Sequence, residues 1–214
     1  VLLAGVSHDL RTPITRLRLE TELADLPEDT HRAMVSDLEQ MERIVNQFMD
    51  YARRNSLPLA AVDLSRLVSD AVRIARIDID PGVRLRVSID PDIWVMAHSI
   101  EMSRVVQNLY TNALRYGKSQ DGVLDLTVEL KREDDKAVLI VSDCGPGLDM
   151  SQAGRLMRPF ERGDAARGGT AGSGLGLAIV ERIVRRCSGT VSLSATVPHG
   201  LTVTIRIPAC KPAK

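Results

Sequence analysis

Cysteine, aromatic residues and long apolar runs are all scarce in this chain. Of its 214 residues only three are Cys, and aromatic side chains make up 3%. Three cysteines without a C-x-x-C spacing argue against a disulfide framework or a zinc site and favour a reducing compartment. Few aromatics leave little material for base-stacking platforms, and no apolar run reaches the roughly 18 residues that a membrane span needs.

An excess of charge of either sign is absent as well. Lys+Arg and Asp+Glu both number 28, so the formal net charge is zero, and a general binder of nucleic-acid backbone would need a basic excess. The hydrophobic content of 44% and charged content of 26% are ordinary for a globular protein of one or two domains. Because Val1 already stands inside a helical pattern without an initiator Met, we expect a piece of a longer protein.

The first chemically suggestive stretch runs from Val6 to Pro13. Apolar residues recur at helical spacing at Leu3, Val6, Leu10, Ile14 and Leu17. At about 100° per residue, His8 lies about 160° from that apolar stripe, which predicts a solvent-facing imidazole. Asp9 follows it, and Thr12 lies one turn further along the same face. Taken alone, an exposed histidine beside an Asp is more often an ordinary solvated residue.

The remainder of the first segment predicts a helical hairpin. A breaker-rich turn follows the first helix near residues 25–29, and Asp29 or Thr30 is expected to cap a second helix that runs to about Arg54. The second helix has a heptad seam at Met34, Leu38, Met41, Val45, Phe48 and Ala52. Two helices cannot bury such seams alone, so the pattern predicts a dimeric four-helix bundle. The alternative is packing of the hairpin onto its own chain.

The second segment predicts an α+β domain. A proline-bearing stretch separates the two segments, which gives a helical hairpin at 1–55, a linker at 56–62 and a second domain at 63–210. Asp63 is expected to cap its first helix. Alternating apolar residues predict strands, and longer periodic stretches predict helices, arranged as a mostly antiparallel sheet covered by helices on one face. The predicted strands are 83–89, 93–96, 124–131, 137–143, 191–196 and 201–207, and the predicted helices are 63–77, 100–116, 151–157 and 175–186.

Two polar clusters of this domain point to a nucleotide with a metal. Asn108 and Asn112 are four residues apart on one helical face, and amide oxygens can serve as ligands to Mg²⁺, which takes its other ligands from phosphate and water. Asp143 follows an apolar strand, where its carboxylate can accept from an exocyclic amine, while Gly145 and Gly147 let the backbone approach a flat base. Taken singly, the Asn pair could equally be two solvated side chains, and the Asp-Gly cluster could be a surface turn.

Two further clusters complete the pattern. Phe160 is one of two Phe residues and is a candidate anchor for a flap, and Arg162 is a candidate phosphate contact; the plain alternatives are a core Phe and a surface charge. Glycine-rich sequence at 168–177 then runs into an apolar helix, where free backbone N–H groups can bind an anion. It is not a P-loop, because no Lys-Ser/Thr follows. The small residues at 163–170 suit a lid.

Together and in this order, the five motifs resemble those of bacterial two-component sensor histidine kinases, of the EnvZ-like type. The first resembles the phosphoacceptor motif, and the others resemble the N box, first G box, F box and second G box. The resemblance covers essentially the whole chain. It implies a dimeric bundle followed by a Bergerat (GHKL) α/β sandwich that binds ATP and Mg²⁺.

The resemblance also implies residue roles. His8 would accept the phosphoryl group through Nε2, Asp9 would orient it and take its proton, and Thr12 would position a water for dephosphorylating the partner. Asn112, with Asn108, would hold Mg²⁺, and Asp143 would accept from the adenine amino group. The remaining nucleotide contacts would be Arg115, Tyr116, Gly145, Gly147, Phe160, Arg162, Gly172, Ser173, Gly174, Leu175, Gly176 and Leu177.

Kinase chemistry is favoured over ATP hydrolysis. Hydrolysing relatives have a Glu at the position of Asn108, and an amide cannot act as general base for water. We therefore expect autophosphorylation of His8, transfer to an Asp of an OmpR-type response regulator, and removal of that phosphate. We also expect a homodimer, no nucleic-acid partner, and a cytoplasmic location below an inner-membrane anchor absent from this sequence. A GHKL ATPase and an inactive dimerisation scaffold are the alternatives.

Overall fold

The computed structural model describes residues 2–52, 58–77, 82–161 and 173–212, without the side chains of 2–9, 50–52 and 75–77. The described helices are α1 (Leu2–Leu23), α2 (Glu28–Ala52), α3 (Leu64–Ile77), α4 (Ser99–Tyr116), α5 (Ala153–Leu156) and α6 (Gly176–Arg186). The strands are β1 (Ala60–Asp63), β2 (Val83–Ile89), β3 (Trp94–Ala97), β4 (Leu124–Glu133), β5 (Lys136–Ser142), β6 (Thr190–Ala195) and β7 (Leu201–Cys210). None of the described helices is long and apolar enough to cross a membrane.

Helices α1 and α2 form the predicted hairpin. Ile14 and Leu38 are buried between them, and the Arg11 guanidinium donates to Asn46 Oδ1 at 2.8 Å. Part of the apolar surface is left uncovered, since Leu17 and Met41 are exposed by 45% and 46%. A single hairpin therefore does not bury its own seam, as the heptad argument anticipates.

The N-terminal cap predicted for α2 is wrong. The helix begins at Glu28, so Asp29 and Thr30 lie within its first turn rather than before it. The Asp29 carboxylate accepts from Arg32 Nη2 at 2.8 Å instead. Acidic residues in a first turn still stabilise a helix through its dipole. The predicted cap therefore lies two or three residues beyond the position that precedes the helix.

The second segment is an α+β domain around a seven-stranded sheet, which confirms the predicted fold class. Six strands follow the order β1-β3-β7-β5-β4-β2, and β6 pairs with β7. The pairings are antiparallel except that of β2 with β4. Strand β1 was not predicted: its residues 60–62 fall in the expected linker, but they pair with β3, and a four-residue strand leaves little periodic signal.

The core lies between the sheet and the helices α3, α4 and α6. Its fully buried side chains include Leu64, Met102, Leu126, Leu139 and Ile205. The predicted cap of α3 is confirmed, because Asp63 Oδ1 accepts from the backbone N–H of Arg66 at 2.9 Å. The predicted helix at 151–157 is instead a 3₁₀ turn, Met150–Gln152, followed by the one-turn helix α5.

Candidate functional site: a nucleotide cavity

A cavity of about 340 Å³ opens beside α4, the N-terminus of α6, and the adjoining ends of β5 and β7. It is the size of a small-molecule site. Ten of the predicted nucleotide residues line it: Asn108, Asn112, Arg115, Tyr116, Asp143, Gly147, Ser173, Gly174, Gly176 and Leu177. Residues from three separate motifs, those around Asn108, Asp143 and Gly174, therefore line one cavity.

Asn108 and Asn112 face the first residue of α6. A Cβ built on Gly176 would lie 3.3 Å from Asn108 Oδ1 and 3.2 Å from Asn112 Oδ1, so both amide oxygens point at the same spot. The amide nitrogen of Asn108 donates to the Arg104 carbonyl at 2.8 Å. That bond fixes the Asn108 side chain with its oxygen toward the cavity.

Asp143 is anchored by the backbone on two sides. Its Oδ1 accepts from the N–H groups of Gly145 at 3.0 Å and Leu201 at 3.1 Å. Burial raises the pKa of this carboxyl above its ordinary value of 3.8, although the two backbone hydrogen bonds act in the opposite direction. The second carboxylate oxygen makes no hydrogen bond within the described part of the chain, which leaves it as the acceptor for an amine.

Two of the glycines are required by close approach. A Cβ on Gly145 would lie 2.6 Å from the Tyr116 carbonyl oxygen and 2.7 Å from Gly117 Cα. Gly174 has φ +68°, and its Cβ would lie 2.7 Å from the Glu161 carbonyl oxygen. Gly145 thus allows the turn after β5 to pack under the end of α4, and Gly174 allows the backbone to turn into α6.

Not every predicted site residue lines the cavity. Leu175 is fully buried in the core, and the ring of Phe160 lies 6.0 Å from that of Phe48, so the second Phe contacts the hairpin. Thr12 is exposed on α1. Arg162, Gly172 and the predicted lid at 163–170, like the side chains of His8 and Asp9, lie outside the described residues.

Sequence reasoning missed several residues that line the cavity. They are Gln47, Leu109, Thr111, Ala113, Lys118, Val141, Pro146, Leu148, Leu156, Glu161, Leu201 and Val203. Most of the apolar members belong to predicted helices and strands and could have been found by asking which face adjoins the motifs, whereas Pro146 and Leu148 lie in the loop that follows the strand at 137–143. Gln47 carries no such signal, because it belongs to the hairpin and reaches the cavity only through the docking of α2.

The donor set suits Mg²⁺ only together with a bound nucleotide. Among the described residues no group of three or more His, Cys, Asp or Glu side chains could hold a metal ion. The two amide oxygens near Gly176 are hard, neutral ligands of the kind that Mg²⁺ accepts. Phosphate oxygens and water would have to supply the remaining positions.

A mostly antiparallel sheet with a glycine-lined cavity beneath its covering helices defines a nucleotide-binding domain of the Bergerat type. The family model for histidine kinase-, DNA gyrase B- and HSP90-like ATPases matches residues 97–211. The model for the His Kinase A phospho-acceptor domain matches residues 1–57. The chain therefore belongs to the sensor histidine kinase family.

The individual relatives agree. The sensor protein RstB of Escherichia coli is 36% identical over 89% of this chain and 44% of its own length. The probable sensor histidine kinase TcrY of Mycobacterium tuberculosis is 34% identical over 96% of this chain and 45% of its own length. The structure of the Acinetobacter baumannii histidine kinase AdeS superposes with a TM-score of 0.65 at 22% identity, covering 94% of this chain and 97% of that one. The chain spans a little under half the length of the curated relatives it matches.

Proposed function

We propose that this chain is the catalytic core of a sensor kinase that transfers the γ-phosphoryl group of ATP to Nε2 of His8. The observation that carries the proposal is the cavity at Asn112, Asp143 and Gly174, which α2 of the histidine-bearing hairpin also lines through Gln47. The nitrogen forms the new N–P bond, the bond from phosphorus to the β,γ-bridging oxygen breaks, and ADP leaves. The ring proton goes to Asp9, which also orients the imidazole.

The nucleotide is oriented by groups at opposite sides of the cavity. The free carboxylate oxygen of Asp143 accepts from the adenine amino group, with Tyr116 beside the base. The phosphates lie at the N-terminus of α6, where the first backbone N–H groups have no partner inside the helix. Arg115, which also lines the cavity, and Arg162 supply positive charge.

Asn112 and Asn108 are the protein ligands we assign to Mg²⁺. A bound Mg²⁺ neutralises phosphate charge during transfer. The same amides argue for transfer over hydrolysis, because an amide at Asn108 cannot remove a proton from water. ATP then persists until the imidazole arrives, and catalysis depends on positioning and charge stabilisation.

We further propose that the chain works as a homodimer beside a receiver domain. The exposed apolar side chains of the hairpin, Leu10, Leu17, Met34 and Met41, suit burial against a second copy. The phosphoryl group passes from His8 to an Asp of an OmpR-type response regulator, and Thr12 positions a water for the reverse, phosphatase reaction. The proposal also includes a hairpin domain at 1–55 and a catalytic domain at 63–210, to whose sheet β1 of the expected linker adds a strand. It includes an inner-membrane anchor outside this sequence as well.

Incubation with γ-labelled ATP and Mg²⁺ tests the assignment. We expect an acid-labile phosphoprotein that is lost in His8→Ala and kept in His31→Ala, because His31 stands at the far end of the hairpin, paired with Glu22 at 3.4 Å. Label that survives in His8→Ala would refute the acceptor. Steady phosphate release that is unchanged in His8→Ala would instead indicate a GHKL ATPase. Failure to bind ATP at millimolar concentration would indicate an inactive scaffold.

A further inference from the structure

We propose that Gln47, a residue of the hairpin, competes with the nucleotide phosphates for the hydroxyl of Ser173. The inference rests on the proposed function and adds a means of regulating the same site. Gln47 lines the cavity together with Asn108 and Asn112. Among the described residues, the other side chains that line this cavity belong to the second segment.

The Gln47–Ser173 contact uses the one proton that Ser173 can give. The Ser173 hydroxyl donates to Gln47 Oε1 at 2.5 Å, and its oxygen accepts from the backbone N–H of Leu175 at 3.2 Å. A serine hydroxyl has a single O–H donor. While it is bonded to Gln47, it is not available to a phosphate oxygen.

Ser173 stands where a phosphate is expected. It precedes the N-terminus of α6, and it lines the cavity together with Gly174 and Gly176. A phosphate seated on the first N–H groups of α6 would offer Ser173 a charged acceptor, which forms a stronger hydrogen bond than an amide carbonyl. It would also place negative charge against the partial negative charge of Gln47 Oε1. Nucleotide binding therefore favours breaking the contact.

Neighbours of Gln47 extend the effect along α2. Phe48 packs its ring 6.0 Å from that of Phe160, and Asn46 accepts from Arg11 at 2.8 Å. Arg11 stands three residues after His8, so three consecutive residues of α2 connect the phosphoacceptor turn with the nucleotide cavity. Loss of the Gln47–Ser173 contact removes one described contact between α2 and the second segment, while Phe48 stays packed against Phe160 and the core. Loading with nucleotide thereby weakens the docking of the hairpin.

Titration of the whole chain with the non-hydrolysable analogue AMPPNP and Mg²⁺ tests the proposal by calorimetry. In Gln47→Ala the competitor is gone, and we expect binding about threefold to tenfold tighter, the range that one net hydrogen bond supplies. In Gln47→Glu an acceptor remains and a negative charge faces the phosphates, so binding should weaken. Gln40→Ala, one heptad earlier on the same helix, is the matched control and should bind as the wild type does.

A double-mutant cycle assigns the effect to Ser173. In a Ser173→Ala background, Gln47→Ala should no longer tighten binding, because the hydroxyl that the two acceptors share is absent. Unchanged or weaker binding by Gln47→Ala, or equal tightening in both backgrounds, would overturn the inference. A wild-type chain that binds no AMPPNP would instead overturn the proposed function, so the two failures can be told apart.

Discussion

Asp143 and Leu201 are 58 residues apart in sequence, yet the backbone N–H of Leu201 donates to Asp143 Oδ1 at 3.1 Å. The antiparallel pairing of β5 with β7 brings them together, because it aligns Ser142 with Thr202 at the strand ends. The sheet thus holds the carboxylate that we assign to adenine, with one oxygen anchored and the other available.

The burial of the Asp143 carboxylate predicts an acid limit for nucleotide binding. Because burial raises the pKa of Asp143 above 3.8, the ionised acceptor is lost at a higher pH than for an exposed Asp. AMPPNP affinity should fall as the pH is lowered toward that raised pKa. Asp143→Asn should bind about tenfold more weakly at pH 8, the scale of one charged hydrogen bond, and lack this acidic limb. Calorimetric titrations from pH 8 to pH 5 would measure both curves, and parallel curves would contradict the assignment.

The same shift acts on stability with the opposite sign. A raised pKa in the folded state means that the native chain binds more protons than the unfolded chain between the two pKa values. The free energy of unfolding therefore gains a contribution as pH falls through the raised pKa, complete below 3.8. The difference in stability between wild type and Asp143→Asn, measured by urea denaturation, should move in favour of wild type as pH falls.

Gly145 is crowded by backbone and Gly154 is not, so alanine substitutions at the two positions form a matched pair. Gly145→Ala places a Cβ 2.6 Å from the Tyr116 carbonyl and 2.7 Å from Gly117 Cα, and backbone cannot rotate away. We expect a loss of about 1–3 kcal/mol in the free energy of unfolding, with weaker AMPPNP binding. Gly154→Ala in α5 meets nothing within 4 Å and should gain about 0.5–1 kcal/mol. Equal changes in the free energy of unfolding for the two variants, measured by urea denaturation, would show that the close contact at Gly145 does not destabilise an added Cβ.

The dependence of nucleotide affinity on Mg²⁺ tests the two amides. Asn112→Ala removes an oxygen directed at the N-terminus of α6, so the gain in AMPPNP affinity on adding Mg²⁺ should shrink several-fold, with little change in its absence. Gln107→Ala, an exposed position on α4, is the control. Binding curves with 5 mM Mg²⁺ or with EDTA separate the metal's share. If Asn112→Ala weakened binding equally in both conditions, Asn112 would contact the nucleotide and not the metal.

The sequence predicted the parts of the site that depend on local chemistry. Asn108 and Asn112 were placed on one helical face by their spacing alone, and the alternating strands were found because one face of the sheet is buried. What it could not supply was the relation between segments. Phe48 was assigned to the dimer seam by its heptad position, but its ring packs against Phe160, and Gln47 reaches the cavity for the same reason. Heptad spacing describes one helix and carries no information about which surface that helix meets.

A buried ion pair between α4 and α6 should be costly to break. Arg186 Nη1 lies 2.7 Å from Glu101 Oε2, and the Glu101 side chain is only 5% exposed. Removing the guanidinium takes the Arg186 ion pair from a carboxylate that is held away from water, so Arg186→Ala should cost about 3 kcal/mol of unfolding free energy.

The neighbouring pair is the control for this prediction. Arg185 pairs with Glu181 at 2.6 Å, but its side chain is 75% exposed, so Arg185→Ala should cost no more than about 1 kcal/mol. Replacing Glu101 and Arg186 together with Met should recover most of the loss, because the buried carboxylate is then removed along with its guanidinium partner. Urea denaturation of the wild type, the two Arg variants and the double Met variant measures these costs. Equal losses for the two Arg variants would mean that water reaches Glu101. The Glu101–Arg186 pair would then contribute no more than a surface pair to the packing of α4 against α6.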